Sequence, residues 1–97
     1  MIHHLVLMRL KPGISRDNPD MLNALSQLIA LRDQVDGIVH WAHGWDFVGK
    51  PVSYDFALVA GFVSRTAFEA YGPHPAHVAV ATQLRAFADW VLCDFEA

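Results

Sequence analysis

Cysteine and charged residues are both scarce in this sequence. Its 97 residues contain one cysteine, Cys93, and only 18% of them are Asp, Glu, Lys or Arg. A single cysteine excludes a disulfide within the chain and is typical of a reducing compartment. The net charge of −3 comes without a basic stripe, so we expect no nucleic acid as a partner.

Long apolar runs and glycine-rich loops are absent as well. No apolar run approaches the ~18–20 residues that span a bilayer. The N-terminal segment MIHHLVLMRLK has neither the basic region nor the small-residue cleavage site of a signal peptide. We therefore expect a cytoplasmic protein with no membrane partner. The six glycines are scattered and form no phosphate-binding loop, so we expect no nucleotide or other cofactor.

Apolar residues make up 54% of the chain, which suits one domain over residues 1–97. Their spacing, with the turn residues, predicts a strand at Ile2–Leu10 and then a helix that Asn18-Pro19 opens, that continues to about Val35 and that Gly37 stops. Strands at Ile38–Val48 and Tyr54–Val63 follow. The last predicted elements are a helix from Ser64 to Tyr71, a helix from His74 to about Ala88 and a strand at Trp90–Glu96. This order predicts an α+β ferredoxin-like subunit, a four-stranded antiparallel sheet with helices on one face.

The predicted strands are apolar on both faces, although helices cover only one. The uncovered face would be a large apolar patch, which a second copy of the sheet would bury. We therefore expect a homodimer in which the two sheets form the interface. The pattern does not decide which face meets the partner. If the face that carries Trp41 and Trp45 contacts the second copy, a charged residue at either position is expected to destabilise the dimer.

Two histidines flank the predicted start of a helix, just after the break at Gly72-Pro73. Pro75 suits the first helical position, which makes His74 the cap and places His77 in the first turn. The helix dipole disfavours imidazolium there, so we expect a neutral His77 that could act as a general base. Tyr71 could donate to a developing oxyanion in the same space. The alternative is that His74 only caps the helix and His77 is a hydrogen-bonded core residue.

The other histidines do not suggest a metal site. His3 and His4 face opposite sides of a strand, as do His40 and His43, and the chain has no second cysteine. We therefore expect no metal ion. Asp94 lies among apolar residues of the last strand, where a buried carboxylate needs a partner such as histidine. The alternative is an edge aspartate in water.

Four segments together resemble the stress-responsive α/β-barrel (Dabb) family over essentially the full chain. They are HLVLMRLK, YDFALVAGF, FEAYGPHPAHVAV and VLCDFE. The resemblance implies a ferredoxin-like subunit whose sheets pair in a dimeric α/β barrel. Members of the family include plant polyketide cyclases, which close a linear polyketide by an aldol condensation.

The resemblance also implies roles for residues of one cavity. His77 would be the base that removes a proton next to a carbonyl, and Tyr71 would support the substrate oxygen. His4, His74 and Asp94 would bind the ligand, and Asp94 would also orient a histidine, for which the base His77 is the first choice.

The sequence departs from those cyclases at two places. Its first helix has no tyrosine, and Phe56 stands where the cyclases carry a histidine, so the substrate is left open. We expect an apolar cavity for a small carbonyl or aromatic metabolite. Three functions remain open: His77-dependent acid–base chemistry of a cyclase or isomerase kind, binding without turnover, or an accessory domain that acts through protein partners. The lack of a charged patch disfavours the third.

Overall fold

Four strands and three helices follow one another in the order that the sequence predicts. In the computed structural model, which describes residues 1–97, the elements are β1 (Ile2–Leu10), α1 (Pro19–Ala30), a 3-10 turn (Leu31–Asp33), β2 (Ile38–Trp45), β3 (Phe56–Phe62), α2 (Arg65–Tyr71), α3 (Pro75–Leu84) and β4 (Ala88–Glu96). The strands lie in the order β2-β3-β1-β4, and all neighbours are antiparallel. This is a ferredoxin-like fold, which confirms the prediction.

Capping side chains set where α1 and α2 begin. The side chain of Asn18 accepts a hydrogen bond from the N–H of Met21 at 3.0 Å. The hydroxyl of Ser64 accepts one from the N–H of Ala67 at 3.1 Å. Each bond satisfies an amide that the first helical turn leaves without a partner. Both helix starts therefore lie where the sequence predicts them.

The chain leaves the first helical region through a glycine. Regular α-helix ends at Ala30, earlier than predicted, and the 3-10 turn follows. Gly37 has a φ angle of 86°, in agreement with its predicted left-handed conformation. A Cβ atom at this position would lie 2.5 Å from the Cβ of Ala67 on α2. Glycine is therefore required both by the backbone conformation and by the close approach of α2.

The hairpin loop between β2 and β3 is longer than the sequence predicts. β2 ends at Trp45 rather than Val48, and β3 begins at Phe56, after its predicted start. The carboxylate of Asp46 accepts a hydrogen bond from the N–H of Gly49 at 2.7 Å. Such local side-chain bonds compete with strand pairing, and here they start the loop.

The junction of α3 and β4 also differs from the prediction. α3 ends at Leu84, and Ala88 is the first residue of β4. The N–H of Phe87 donates to the carbonyl of Leu84 at 2.9 Å, and the N–H of Lys11 donates to the carbonyl of Phe87 at 2.8 Å. These bonds turn the chain back into the sheet. Because Phe87 and Ala88 suit a helix or a strand, their pattern alone does not place the boundary.

One face of the sheet is covered by the helices and the other is not. The covered face supplies much of the core, including Ile2, Val6 and Met8 of β1 and Phe56, Leu58, Ala60 and Phe62 of β3. On the uncovered face, Leu7, Val91 and Phe95 are 41%, 49% and 47% exposed. No other element of the chain packs over them. The two-faced apolar pattern of the sequence is therefore present in the folded sheet.

Trp41 and Trp45 lie on the covered face. In the register of β2 and β3, Trp41 is opposite Ala60 and Trp45 is opposite Phe56, both of which are core residues. The two indoles pack against the core. The expectation that a charge at either tryptophan would act on a sheet–sheet interface is therefore wrong, because it would act on the core.

Candidate ligand-binding cavity

A cavity of about 320 Å³ lies between the covered face of the sheet and the helices. Its apolar lining includes Val6, Met8, Leu28, Leu58, Phe68, Val80, Ala81, Leu84, Trp90 and Leu92. Its polar lining residues are His4, Glu69, Tyr71, His77, Arg85 and Asp94. A cavity of this size with mostly apolar walls and a few converging polar groups is typical of a small-molecule site.

His4 and Asp94 form a pair in the cavity wall. They lie opposite each other on β1 and β4, and the carboxylate of Asp94 is hydrogen-bonded to Nδ1 of His4. The side chain of His4 is buried, and that of Asp94 is 33% exposed. The carboxylate fixes the orientation of the His4 ring. Asp94 therefore has a histidine partner, and the alternative of an aspartate bonded only to water is wrong.

The ring of His77 is held by the main chain. Its Nδ1 is 2.8 Å from the carbonyl oxygen of Gly72. Because a carbonyl only accepts hydrogen bonds, Nδ1 donates and Nε2 is the nitrogen left to accept a proton. Asp94 was expected to orient this ring, and that expectation is wrong because Asp94 is bonded to His4.

Burial lowers the pKa of His77 below its ordinary value of 6.5. The hydrogen bond to the Gly72 carbonyl favours the protonated ring and opposes this shift, whereas the positive charges of His4, Arg85 and His74 add to it. The net effect on the pKa is downward, which favours a neutral imidazole near pH 7. The sequence predicts neutrality from the helix dipole, but burial is the principal cause.

Tyr71 contacts the rings of both histidines. Its ring centroid is 4.3 Å from that of His77 and 5.8 Å from that of His4. Burial raises the pKa of Tyr71 above its ordinary value of 10.0, so the phenol keeps its proton and remains a hydrogen-bond donor. One end of the cavity thus combines a proton acceptor, a phenol donor and the His4–Asp94 pair.

His74 does not line the cavity. Its Nδ1 accepts a hydrogen bond from the N–H of Ala76 at 3.1 Å, which caps α3 as the sequence predicts. The structure therefore brings His4, Tyr71, His77 and Asp94 together and leaves His74 apart.

Arg85, Glu69 and Trp90 line the cavity without having been singled out in the sequence. The guanidinium carbon of Arg85 lies 5.6 Å from the ring centroid of Trp90. One signal could have found Arg85. The cavity-lining residues of α3 and its C-cap recur at helical spacing from His77, and they are His77, Val80, Ala81, Leu84 and Arg85.

The remaining histidines are spread over the two faces of the sheet. His3 and His40 lie opposite Gly61 on the uncovered face, and His43 lies opposite Leu58 on the covered face. Nowhere do three or more His, Cys, Asp or Glu side chains come close enough together to hold a metal ion. None of the helices has the length and hydrophobicity to cross a bilayer.

The fold and the cavity define a ferredoxin-like α+β protein with a small-molecule site, and sequence comparison identifies its family. The family described as Stress responsive A/B Barrel Domain (Dabb) matches residues 2–97. The chain belongs to this family, which confirms the resemblance seen in its motifs. The Uncharacterized protein SCO4036 of Streptomyces coelicolor is 38% identical over 96 residues, which cover 99% of each chain.

Solved structures of similar proteins share the fold over nearly the whole chain. A dimeric ferredoxin-like protein of unknown function from Thermobifida fusca has a TM-score of 0.83 at 27% identity, covering 99% of this chain and 90% of that one. The hydroxynitrile lyase of Passiflora edulis has a TM-score of 0.80 at 18% identity, covering 97% and 90%. The likeness to the lyase shows the fold alone.

Proposed function

We propose that this Dabb protein is a homodimer whose cavity binds a small carbonyl or aromatic metabolite and transfers a proton with His77 as the base. The observation that carries the proposal is that one ring nitrogen of His77 is hydrogen-bonded to the main chain while the other is left to accept a proton. Nδ1 is held by the Gly72 carbonyl at 2.8 Å, which leaves Nε2 as the acceptor on a residue of the cavity wall. General base catalysis needs a neutral, oriented imidazole of this kind.

The proposed step is an enolisation. Nε2 of His77 takes a proton from a carbon next to the substrate carbonyl. The electron pair of that C–H bond forms a carbon–carbon double bond, and the π pair of the carbonyl moves onto its oxygen to give the enolate. The hydroxyl of Tyr71 donates a hydrogen bond to the enolate oxygen, because its raised pKa keeps it protonated. The imidazolium then returns the proton to the product. A cyclase or an isomerase needs this pair of proton transfers.

The cavity lining supports an apolar ligand. Eleven of its 17 residues are hydrophobic when Tyr71 is counted with them, and the ring of Phe68 lies 5.6 Å from that of His4, centroid to centroid. An aromatic or acyl body would bury its surface here while its carbonyl meets the polar end. The same lining favours the second candidate function, which is binding of an apolar metabolite without turnover.

The uncovered face of the sheet supports the homodimer. Leu7, Val91 and Phe95 form part of an apolar surface that the subunit does not cover, and the similar protein from Thermobifida fusca is described as dimeric. Pairing two such faces removes apolar area from water. Because the cavity lies on the opposite side of the sheet, each subunit would carry a complete site.

The experiment measures proton–deuterium exchange at the activated carbon of phenylacetone by NMR in D₂O, alongside cyclisation of linear poly-β-ketone probes by absorbance. The wild-type protein is expected to accelerate at least one reaction. His77→Ala is expected to lower that rate by about 10²–10⁴-fold. Tyr71→Phe should lower it less, because it removes one hydrogen bond. His43→Ala is the matched control, since His43 lies outside this cavity.

The outcomes separate the two functions. An unchanged rate in His77→Ala, with an unchanged melting temperature, would exclude His77 as the base. Binding of the probes without exchange or cyclisation would support the binding protein instead. Loss of activity in His43→Ala equal to that in His77→Ala would show that the assay reports on folding rather than on the site.

A further inference from the structure

We propose that Arg85 binds a carboxylate of the ligand, so that the ligand is an elongated acid whose charged end lies away from His77. The inference rests on the proposed function, because it takes this cavity to be the ligand site. Arg85 is the C-cap residue of α3, and its side chain lines the same cavity as His77. Both residues belong to one face of the helix.

The helix separates the backbone positions of the two residues. His77 and Arg85 are eight residues apart, which corresponds to about 12 Å along a helix axis. The sheet beneath the helix separates the same two groups. Asp94, which pairs with His4, lies four residues along β4 from Trp90, and the guanidinium carbon of Arg85 lies 5.6 Å from the ring centroid of Trp90. The cavity therefore has the rings of His4, Tyr71 and His77, here called the ring cluster, at one end and Arg85 at the other.

The guanidinium of Arg85 is free to bind an anion. None of the ion pairs of the protein includes it, and its side chain makes no hydrogen bond to another residue. Lys11 brings a second positive charge to this end, because its Nζ donates to the backbone carbonyl of Arg85 at 2.6 Å. The planar fork of an arginine matches the two oxygens of a carboxylate, and such charge-assisted pairs are strong.

The opposite end of the cavity would repel a carboxylate. Glu69 and Asp94 line the cavity beside the ring cluster, and Glu69 makes no ion pair, whereas Glu96 nearby is paired with Arg65. Asp89, the acidic residue nearest to Arg85 along the chain, belongs to the uncovered face of the sheet, in register with Arg9 rather than with the cavity residues. The charge distribution therefore favours one orientation of an acidic ligand.

The test compares two probes of nearly identical shape, 5-phenylpentanoate and 5-phenylpentanamide, by isothermal titration at low ionic strength. The wild-type protein is expected to bind the acid about tenfold more tightly than the amide. Arg85→Gln should weaken binding of the acid by about the same factor and leave the amide unchanged. Arg32→Gln makes the same charge change at an exposed residue away from the cavity, and it should alter neither affinity.

Each outcome bears on the inference. Equal affinity of the wild type for acid and amide would overturn it while leaving the cavity as a binding site. An equal loss of both affinities in Arg85→Gln would also overturn it, because Arg85 would then only support the packing of Trp90. If neither probe binds the wild type while neutral ketones do, the inference fails and the proposed function stands. If no probe of either kind binds, the proposed function fails with it.

Discussion

The carboxylate of Asp94 is hydrogen-bonded to Nδ1 of His4 across the neighbouring strands β1 and β4. The two residues are 90 positions apart in the chain, so their meeting depends on the pairing of the first strand with the last. The N-terminal amine also donates to the carbonyl of Ala97 at 3.1 Å. One end of the cavity therefore forms only when both ends of the chain are in the sheet.

Breaking this pair is expected to destabilise the protein. Asp94→Ala leaves the Nδ1 of buried His4 without a partner and should lower the free energy of unfolding by about 1–2 kcal/mol. The double variant His4→Leu/Asp94→Ala should recover part of that loss, because it removes both polar groups. Urea unfolding of the wild type, both single variants and the double variant measures the coupling. Additive losses in the double variant would contradict the pairing.

The stability of the fold is expected to depend on pH through His77. Its pKa is lower in the folded protein than the ordinary 6.5 of the unfolded chain, so the unfolded chain takes up the proton first as the pH falls. The contribution of neutral His77 is therefore complete above pH 6.5 and is lost progressively between 6.5 and the lower folded pKa. Free energies of unfolding measured across this range should fall less in His77→Gln than in the wild type.

The control for this pH series is His43→Gln, at an exposed histidine of the edge strand β2. It should keep the wild-type loss of stability below pH 6.5. An identical pH dependence in the wild type and His77→Gln would show that His77 does not titrate as its burial requires.

Charges on the uncovered face are expected to dissociate the dimer without unfolding the subunit. Leu7→Glu and Val91→Glu place carboxylates on the surface assigned to the second copy. Val78→Glu is the matched control, because Val78 is also 49% exposed but lies on α3. Sedimentation should show monomers for the first two variants and dimers for the control. Trp41→Glu should instead lower the melting temperature, because Trp41 packs against the core.

A monomeric wild-type protein at micromolar concentration would contradict the dimer outright. Dimers that survive both sheet-face substitutions would show that the interface lies elsewhere on the subunit.

Two glycines with the same backbone conformation are expected to respond differently to a methyl group. Gly37 and Gly13 have φ angles of 86° and 85°, so alanine is strained at both, at a cost of about 1 kcal/mol. At Gly37 the new Cβ would also meet the Cβ of Ala67 at 2.5 Å, whereas at Gly13 it meets nothing within 4 Å. Thermal unfolding should therefore show a clearly larger loss for Gly37→Ala, by about 1–3 kcal/mol. Equal losses would mean that α2 moves aside.

Local chemistry made much of the fold predictable from the sequence. The caps Asn18, Ser64 and His74 and the left-handed Gly37 each act through their own side chain or backbone, and each lies where it is predicted. The order of strands and helices along the chain follows from the alternation of periods in the sequence. Tyr71 and His77 were singled out because they flank one break between helices.

The partners within the site were less predictable, because they depend on register and on the main chain. A one-residue slip between β1 and β4 would turn Asp94 to the uncovered face, so no local pattern pairs it with His4. The Gly72 carbonyl that holds His77 has no sequence signature, since every residue carries a carbonyl. The face of Trp41 was undecided because strand parity separates two faces without showing which one the helices cover.

The most direct measurement is a crystal structure of the protein soaked with benzoylacetone, an aromatic β-dicarbonyl compound. We expect the probe inside the cavity, with a carbonyl oxygen within hydrogen-bond distance of the Tyr71 hydroxyl and the carbon between the carbonyls facing Nε2 of His77. Nδ1 of His77 should still be bonded to the Gly72 carbonyl. A probe bound only on the uncovered face of the sheet, or a His77 ring turned out to solvent, would contradict the role of His77 as the base of this cavity.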